Sequence, residues 1–201
     1  MSKLIETCNE LVRNSDIVVE ENRYGTQLKI SKAVLLFTNF AGQPNKFGNT
    51  SKNFNIVIPE EFAHQLRENS LGLTVNVHEY GKGTDEEPMI YYINVKVNMT
   101  VQYPPEVTLY VKKTNYPTKK TALDDTTIGV LDRTDMERAD VIINVKESKS
   151  RPGWAVFYLN TLKVVQNKIS DFDGYYDQFD DPLDPNDEIV AQNRNIIDEN
   201  D

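Results

Sequence analysis

Strict alternation is what most limits how this chain can fold. Over residues 89–99, Met89, Tyr91, Ile93, Val95, Val97 and Met99 fall on one side, and Ile90, Tyr92, Asn94, Lys96 and Asn98 on the other. Residues 106–113 repeat the pattern, with Val107, Leu109 and Val111 turned in and Thr108, Tyr110 and Lys112 turned out. A period of two is the spacing of a strand buried on one face. Further strands are predicted at 17–19, 26–31, 33–40, 52–58, 71–80, 139–147 and 154–165, separated by links rich in Gly, Pro, Asn and Ser. Pro59, Glu60 and Glu61 open a helix over 59–69, because Pro fits the first turn and acids suit the positive end of the helix dipole. Leu4, Cys8, Leu11 and Val12 share one face of a short helix over 3–14, and 126–136 reads as a short helix or turn. About eight short strands with one or two short helices predict a mainly β chain, an OB-fold-like Greek-key barrel rather than βαβ units.

Composition closes several functional classes. The chain has 201 residues, enough to bury a core without disulfides or metal. One cysteine, Cys8, and two histidines, His64 and His78, cannot build an internal disulfide or a usual structural zinc site. A reducing compartment, no metal and no cofactor are therefore expected. Apolar runs such as 33–37 are far short of a membrane span, and the start Met1-Ser2-Lys3-Leu4 does not read as a signal peptide. A cytoplasmic location follows as an expectation.

Gly81-Lys82-Gly83-Thr84-Asp85-Glu86 lacks the further glycine of a phosphate-binding loop. In Asp171-Phe172-Asp173-Gly174 the glycine comes too early for a calcium loop. Asp124-Asp125 and Asp180-Asp181 read as solvated acids. No nucleophile has an evident base, so an enzyme is not expected.

Charge is unevenly placed. Residues 171–201 hold 11 acids against Arg194 alone, for a net charge of −10, which leaves residues 1–170 at +1. The chain thus reads as a folded domain over 1–170 and an acidic, disordered tail over 171–201. Inside the domain, 22–59, 88–105 and 107–123 contain no acid, yet they interleave lysines and arginines with Tyr and Phe. Cations neutralise phosphates and aromatic faces stack on unpaired bases, so this mixture is what single-stranded nucleic acid requires. Ordinary strands with solvated lysines and core aromatics give the same pattern at any single position.

The tail is not acid alone. Phe172, Tyr175, Tyr176 and Phe179 mark its start, and Ile189, Val190, Ile196 and Ile197 its end. Apolar residues among acids suit a segment that recruits a partner protein. The acids could equally fold back on the basic face and compete with phosphate, or serve solubility.

Several runs resemble the single-stranded DNA-binding proteins of tailed bacteriophages. They are Phe37-Thr38-Asn39-Phe40-Ala41-Gly42, Phe47, Asn53-Phe54 and Ile58-Pro59-Glu60-Glu61. Leu131-Asp132, Ala139-Asp140-Val141-Ile142-Ile143, Tyr158-Leu159-Asn160-Thr161-Leu162 and the acidic tail belong to the same pattern. The likeness covers 32–165 and the tail. It implies an OB-fold core, binding of single-stranded DNA in phage replication or recombination, and a tail that contacts replication proteins or tunes DNA binding. Residues 1–31 extend beyond it. Asp132, Asp135, Glu137 and Asp140 make one segment acidic, and that face is expected to lie away from DNA.

The expected stacking residues are Phe40, Phe47, Tyr92 and Tyr110, and the expected phosphate contacts are Lys46, Lys52, Lys96, Lys112 and Arg151. Phe37 and Phe54 fit core or contact equally. Phe179, Ile189, Val190, Ile196 and Ile197 are the expected partner-binding positions of the tail. Two rivals predict otherwise. A virion structural or decoration protein would form stable oligomers and not bind DNA. An acidic inhibitor mimicking DNA would display acids on the folded body, which here nets +1.

Overall fold

The structure is a computed structural model, and it describes residues 8, 11–23, 25–84, 88–111 and 118–166. Among these, ten strands form one mixed sheet: β1 (Asp16–Asn22), β2 (Gly25–Ser31), β3 (Val34–Asn39), β4 (Asn53–Ile58), β5 (His78–Tyr80), β6 (Ile90–Lys96), β7 (Glu106–Val111), β8 (Lys119–Leu123), β9 (Met136–Glu147) and β10 (Ala155–Gln166). The helix α1 spans Glu60–Arg67, and a 3-10 turn spans Ile128–Arg133. The mainly β expectation holds, as does the helix opened by Pro59. Cys8, Leu11 and Val12 are helical, in keeping with a helix near the N-terminus.

The strand path runs β1-β2-β9-β10-β6-β4-β3, and among the described residues no ladder joins β3 back to β1, so the sheet is open along this path. The two longest strands, β9 and β10, pair antiparallel at its centre. β10 divides its other edge between two parallel partners. Phe157 and Tyr158 lie beside β6, while Thr161 to Gln166 lie beside β7. β6 and β7 therefore do not pair with each other: each pairs with β10, one after the other. Tyr158 is opposite Lys96 and Val165 opposite Tyr110, so Lys96 and Tyr110 stand about 23 Å apart along β10. Of the strand expected over 71–80, only His78–Tyr80 forms a ladder, and β8 has no counterpart among the predicted strands.

The core lies on one side of this sheet. Leu28, Ile30, Phe54, Ile56, Ile58, Ile93, Val95, Val141, Ile143, Phe157 and Leu159 all pack into it. A smaller cluster of Cys8, Val12, Leu36, Val57 and Ile90 is separate from it. Val57 belongs to this cluster and its neighbours Ile56 and Ile58 to the main core, as strand alternation requires. Burial in the smaller cluster pushes the Cys8 thiol pKa up, consistent with a small apolar filler.

Candidate nucleic-acid interface

The site begins with a bulge. Leu36 pairs with Asn55, but the next pair is Asn39 with Asn53, so β3 carries one residue more than β4. Phe37 absorbs the extra residue with φ +47°, a left-handed conformation costly for a bulky side chain. Phe37 is 52% exposed, with its ring edge-on to both Tyr80 and Tyr92 at centroid distances of 6.0 and 6.1 Å. The bulge also shifts the parity of the residues after it. Phe40 turns inward, is 0% exposed and stacks on Phe54 at 5.1 Å. The expectation that Phe40 stacks on DNA is corrected: it is a core residue.

Beyond Val57 and Ile90, which lie in the Cys8 cluster, the outer face of β4 and β6 is polar. Tyr92, Asn94 and Lys96 alternate with the buried Ile93 and Val95. Asn94 Nδ2 donates to Asn55 Oδ1 at 2.9 Å and to Asn53 Oδ1 at 3.3 Å. Tyr92 stacks on His78 of β5 at 5.2 Å with an interplanar angle of 15°. On the β6 edge away from β4, β5 pairs with residues 90–92 and β10 with residues 95–96. No described strand pairs there with Ile93 or Asn94. A cavity of about 420 Å³ occupies this gap, lined by Asn55, Asn76, His78, Tyr92, Asn94, Lys96 and the first residues of β10. No acid lines it, and Lys96 has no carboxylate partner among the described residues. The polar face continues sideways. Tyr158 is opposite Lys96 on one side and Asn144 on the other, and Asn144 Oδ1 accepts from Gln27 Nε2 at 2.8 Å.

Two loops flank this face. In loop 41–51, Asn45 Oδ1 accepts from the backbone N–H groups of Phe47 at 2.9 Å and Asn49 at 3.0 Å. Gly48 completes the turn at φ +75°, a conformation glycine adopts without strain. The tip presents Phe47, 81% exposed, with Lys46 Nζ 4.9 Å from its ring centroid. Loop 97–105 starts beside it, where Val97 N–H donates to Lys52 O at 2.9 Å, and carries Tyr103 at 83% exposure. Neither ring is buried by its own chain, as stacking on a base requires.

The remaining expected contacts divide. Lys52 Nζ is taken up by Asp125, at 2.5 Å from both its carbonyl and its carboxylate, so its charge is compensated within the protein. Arg151 lies over the Trp154 ring at 3.3 Å, in the link between β9 and β10, and remains exposed. Tyr110 is half-buried on β7. Lys112 lies outside the described residues, as do the tail positions Phe179, Ile189, Val190, Ile196 and Ile197. Tyr80, Tyr103, His78 and the asparagines are not among the expected contacts, and Phe37 is there only as one of two equal readings. Only the asparagines leave a signal: Asn is a poor strand former, yet Asn53, Asn55 and Asn94 sit inside predicted strands.

Asp124, Asp132 and Asp140 have structural partners. Asp132 accepts the Phe40 N–H at 2.9 Å and the Ala41 N–H at 2.8 Å, one on each carboxylate oxygen. Asp140 accepts the Lys32 N–H and pairs with Arg138. Asp124 is held at a pKa of about 2 by hydrogen bonds from the side chains and backbone of Thr126 and Thr127. Among the described residues, no group of three or more His, Cys, Asp or Glu is placed to hold a metal ion. No described helix is long and apolar enough to cross a membrane.

The Asp132 clamp joins the two motif runs noted in the sequence, Phe40-Ala41-Gly42 and Leu131-Asp132. A family model described as "Putative phage ssDNA-binding domain" matches residues 18–194. Among solved structures, the chain is similar to the single-stranded DNA-binding protein from bacteriophage Enc34 in complex with ssDNA, at 10% identity and a TM-score of 0.43, covering 71% of this chain and 87% of that one. It is likewise similar to a C-terminal truncation of the Enc34 protein, at 10% identity and a TM-score of 0.41, covering 76% of this chain and 96% of that one. No curated protein sequence matches. With the family model spanning most of its length, the chain belongs to the phage single-stranded DNA-binding domain family.

Proposed function

We propose that this member of a single-stranded DNA-binding family coats unpaired strands during phage DNA replication or recombination, without a catalytic step. The carrying observation is the acid-free face around Tyr92, Asn94 and Lys96, where the lysine lacks a counter-charge among the described residues. A strand laid across β4, β6 and β10 would place phosphates near Lys96 and Lys46. It would offer bases to Phe37, Tyr80, Phe47 and Tyr103. Stacking of this kind is tolerant of sequence, and phosphate neutralisation makes binding salt-dependent. Arg151 and Tyr110 extend the track at its two ends. The acidic tail, with Phe179, Ile189, Val190, Ile196 and Ile197, is proposed to recruit replication or recombination proteins and to compete with DNA for the basic face. The host cytoplasm is the expected site of action.

The test is fluorescence anisotropy of a labelled oligo-dT, with duplex DNA as competitor, at low and high salt. The full chain and a form ending at residue 170 are compared. Single-strand binding that weakens with salt and tightens without the tail supports both parts of the proposal. Absence of binding by both forms at low salt overturns it and favours a virion protein.

A further inference from the structure

Asparagine is depleted in strands, because its short amide competes with the ladder for backbone hydrogen bonds. Yet β4 and β6 place Asn53, Asn55 and Asn94 side by side on one face, and Asn76 stands at the rim of the same cavity. Local rules broken together in a well-packed sheet mark function more than stability. Tracking a phosphate backbone needs cations, and amides add little to it. An amide offers what a cation lacks, a donor and an acceptor together, which matches a nucleobase edge.

The hydrogen bonds determine which amide atoms remain available. Asn94 Nδ2 spends its two protons on Asn55 and Asn53, leaving Asn94 Oδ1 as an acceptor. Asn55 Oδ1 is used by Asn94, leaving Asn55 Nδ2 as a donor. Asn76 Nδ2 lies 3.1 Å from His78 Nε2, leaving Asn76 Oδ1 as a second acceptor. Asn55 is only 9% exposed, so its amide is already fixed before any ligand arrives. The His78–Tyr92 stack forms an aromatic wall of the cavity, and Lys96 supplies its one cation.

We propose that this cavity takes one nucleobase out of the stacked strand and reads its polar edge through Asn55, Asn94 and Asn76, with the attached phosphate near Lys96. This rests on the DNA-binding reading above and adds to it a base preference that stacking alone does not give. Extruded bases read on their Watson–Crick edges are a general mode of single-strand recognition.

The test measures the affinity of the full chain for oligo-dT, oligo-dC, oligo-dA and an oligo-dT methylated at every thymine N3, all of one length and at one salt concentration. The methyl group blocks a base edge while leaving the ring and the charge. The expected result is a spread of about tenfold or more among these strands, set by one well-made base-edge contact. Asn94→Ala and Asn76→Ala should narrow the spread to within about threefold while leaving the salt slope unchanged. Asn76 lies outside the ladders, so its variant keeps the test meaningful if Asn94→Ala folds poorly. Equal binding of all four strands by the wild-type chain overturns the base-reading pocket and leaves DNA binding intact. A spread that both variants retain also overturns it. No binding to any strand at low salt overturns the DNA-binding reading itself.

Discussion

The two faces of β4 and β6 are made from the same few residues of sequence and differ sharply in chemistry. Phe54, Ile56, Ile58, Ile93 and Val95 form an inner face that is almost wholly buried. One residue along, Asn53, Asn55, Tyr92, Asn94 and Lys96 form an outer face that is amide-rich, aromatic and free of acid. Apolar burial rewards any side chain of suitable volume, so the inner face specifies the fold. The outer face spends strand positions on residues that weaken strands, a choice that stability alone does not explain. On the proposed reading, stability and recognition are separated by the pleat rather than by distance along the chain.

Substitutions on each side should keep that separation. The largest effect is expected from Phe40→Ala. It empties a fully buried site against Phe54 and should cost ~3–5 kcal/mol of stability, read by chemical denaturation. The affinity of the folded fraction for oligo-dT should not change, and a large loss of affinity without loss of stability would break the comparison. Phe47→Ala should do the reverse. Losing one stacking ring should weaken single-strand binding by ~1–3 kcal/mol in anisotropy, with the denaturation midpoint unmoved.

A finer contrast lies between two lysines. Lys96→Ala should lower the salt slope of binding by about 0.7, the contribution of one phosphate contact on a single strand. Lys52→Ala should leave that slope unchanged and show instead as a small loss of stability, because its charge is held by Asp125. The smallest effect concerns acid. The folded pKa of Asp124, about 2, lies below its ordinary value of 3.8. The stabilisation it brings is therefore complete above about pH 4 and is lost as pH falls through about 2. Asp124→Asn should flatten that part of the stability–pH curve and leave DNA binding at neutral pH unchanged.

Much of this organisation is legible from residue order. The alternation of 89–99 assigns Tyr92 and Lys96 to the outer face and Ile93 and Val95 to the core, because a half-buried strand leaves that trace directly. Alternation gives no such guide to Phe40. Parity counted along β3 fails at Phe37, and no turn residue announces the bulge there. The pairing of Tyr110 with Lys120 rather than with a β6 residue is equally hidden, since partners across a sheet are chosen by distant strands. Lys52 and Lys96 look alike as residues in a sequence, and only the fold brings Asp125 to one of them. His78 reads as an ordinary histidine because its stacking partner is chosen by β5–β6 pairing.

The Asp132 clamp has a consequence for how the protein is made. Its acceptor lies 92 residues after the Phe40 N–H it holds, beyond β8 and next to the start of β9. β3, β4 and β6 can pair among themselves as soon as they are synthesised, but the base of the Phe47 loop is clamped only once Asp132 has been added. Tyr158, Arg151 and the β10 wall of the cavity come later still. Contacts so far apart in sequence form late and slowly. A growing chain on the ribosome therefore lacks the finished outer face of β4, β6 and β10 until almost all of residues 1–166 have emerged.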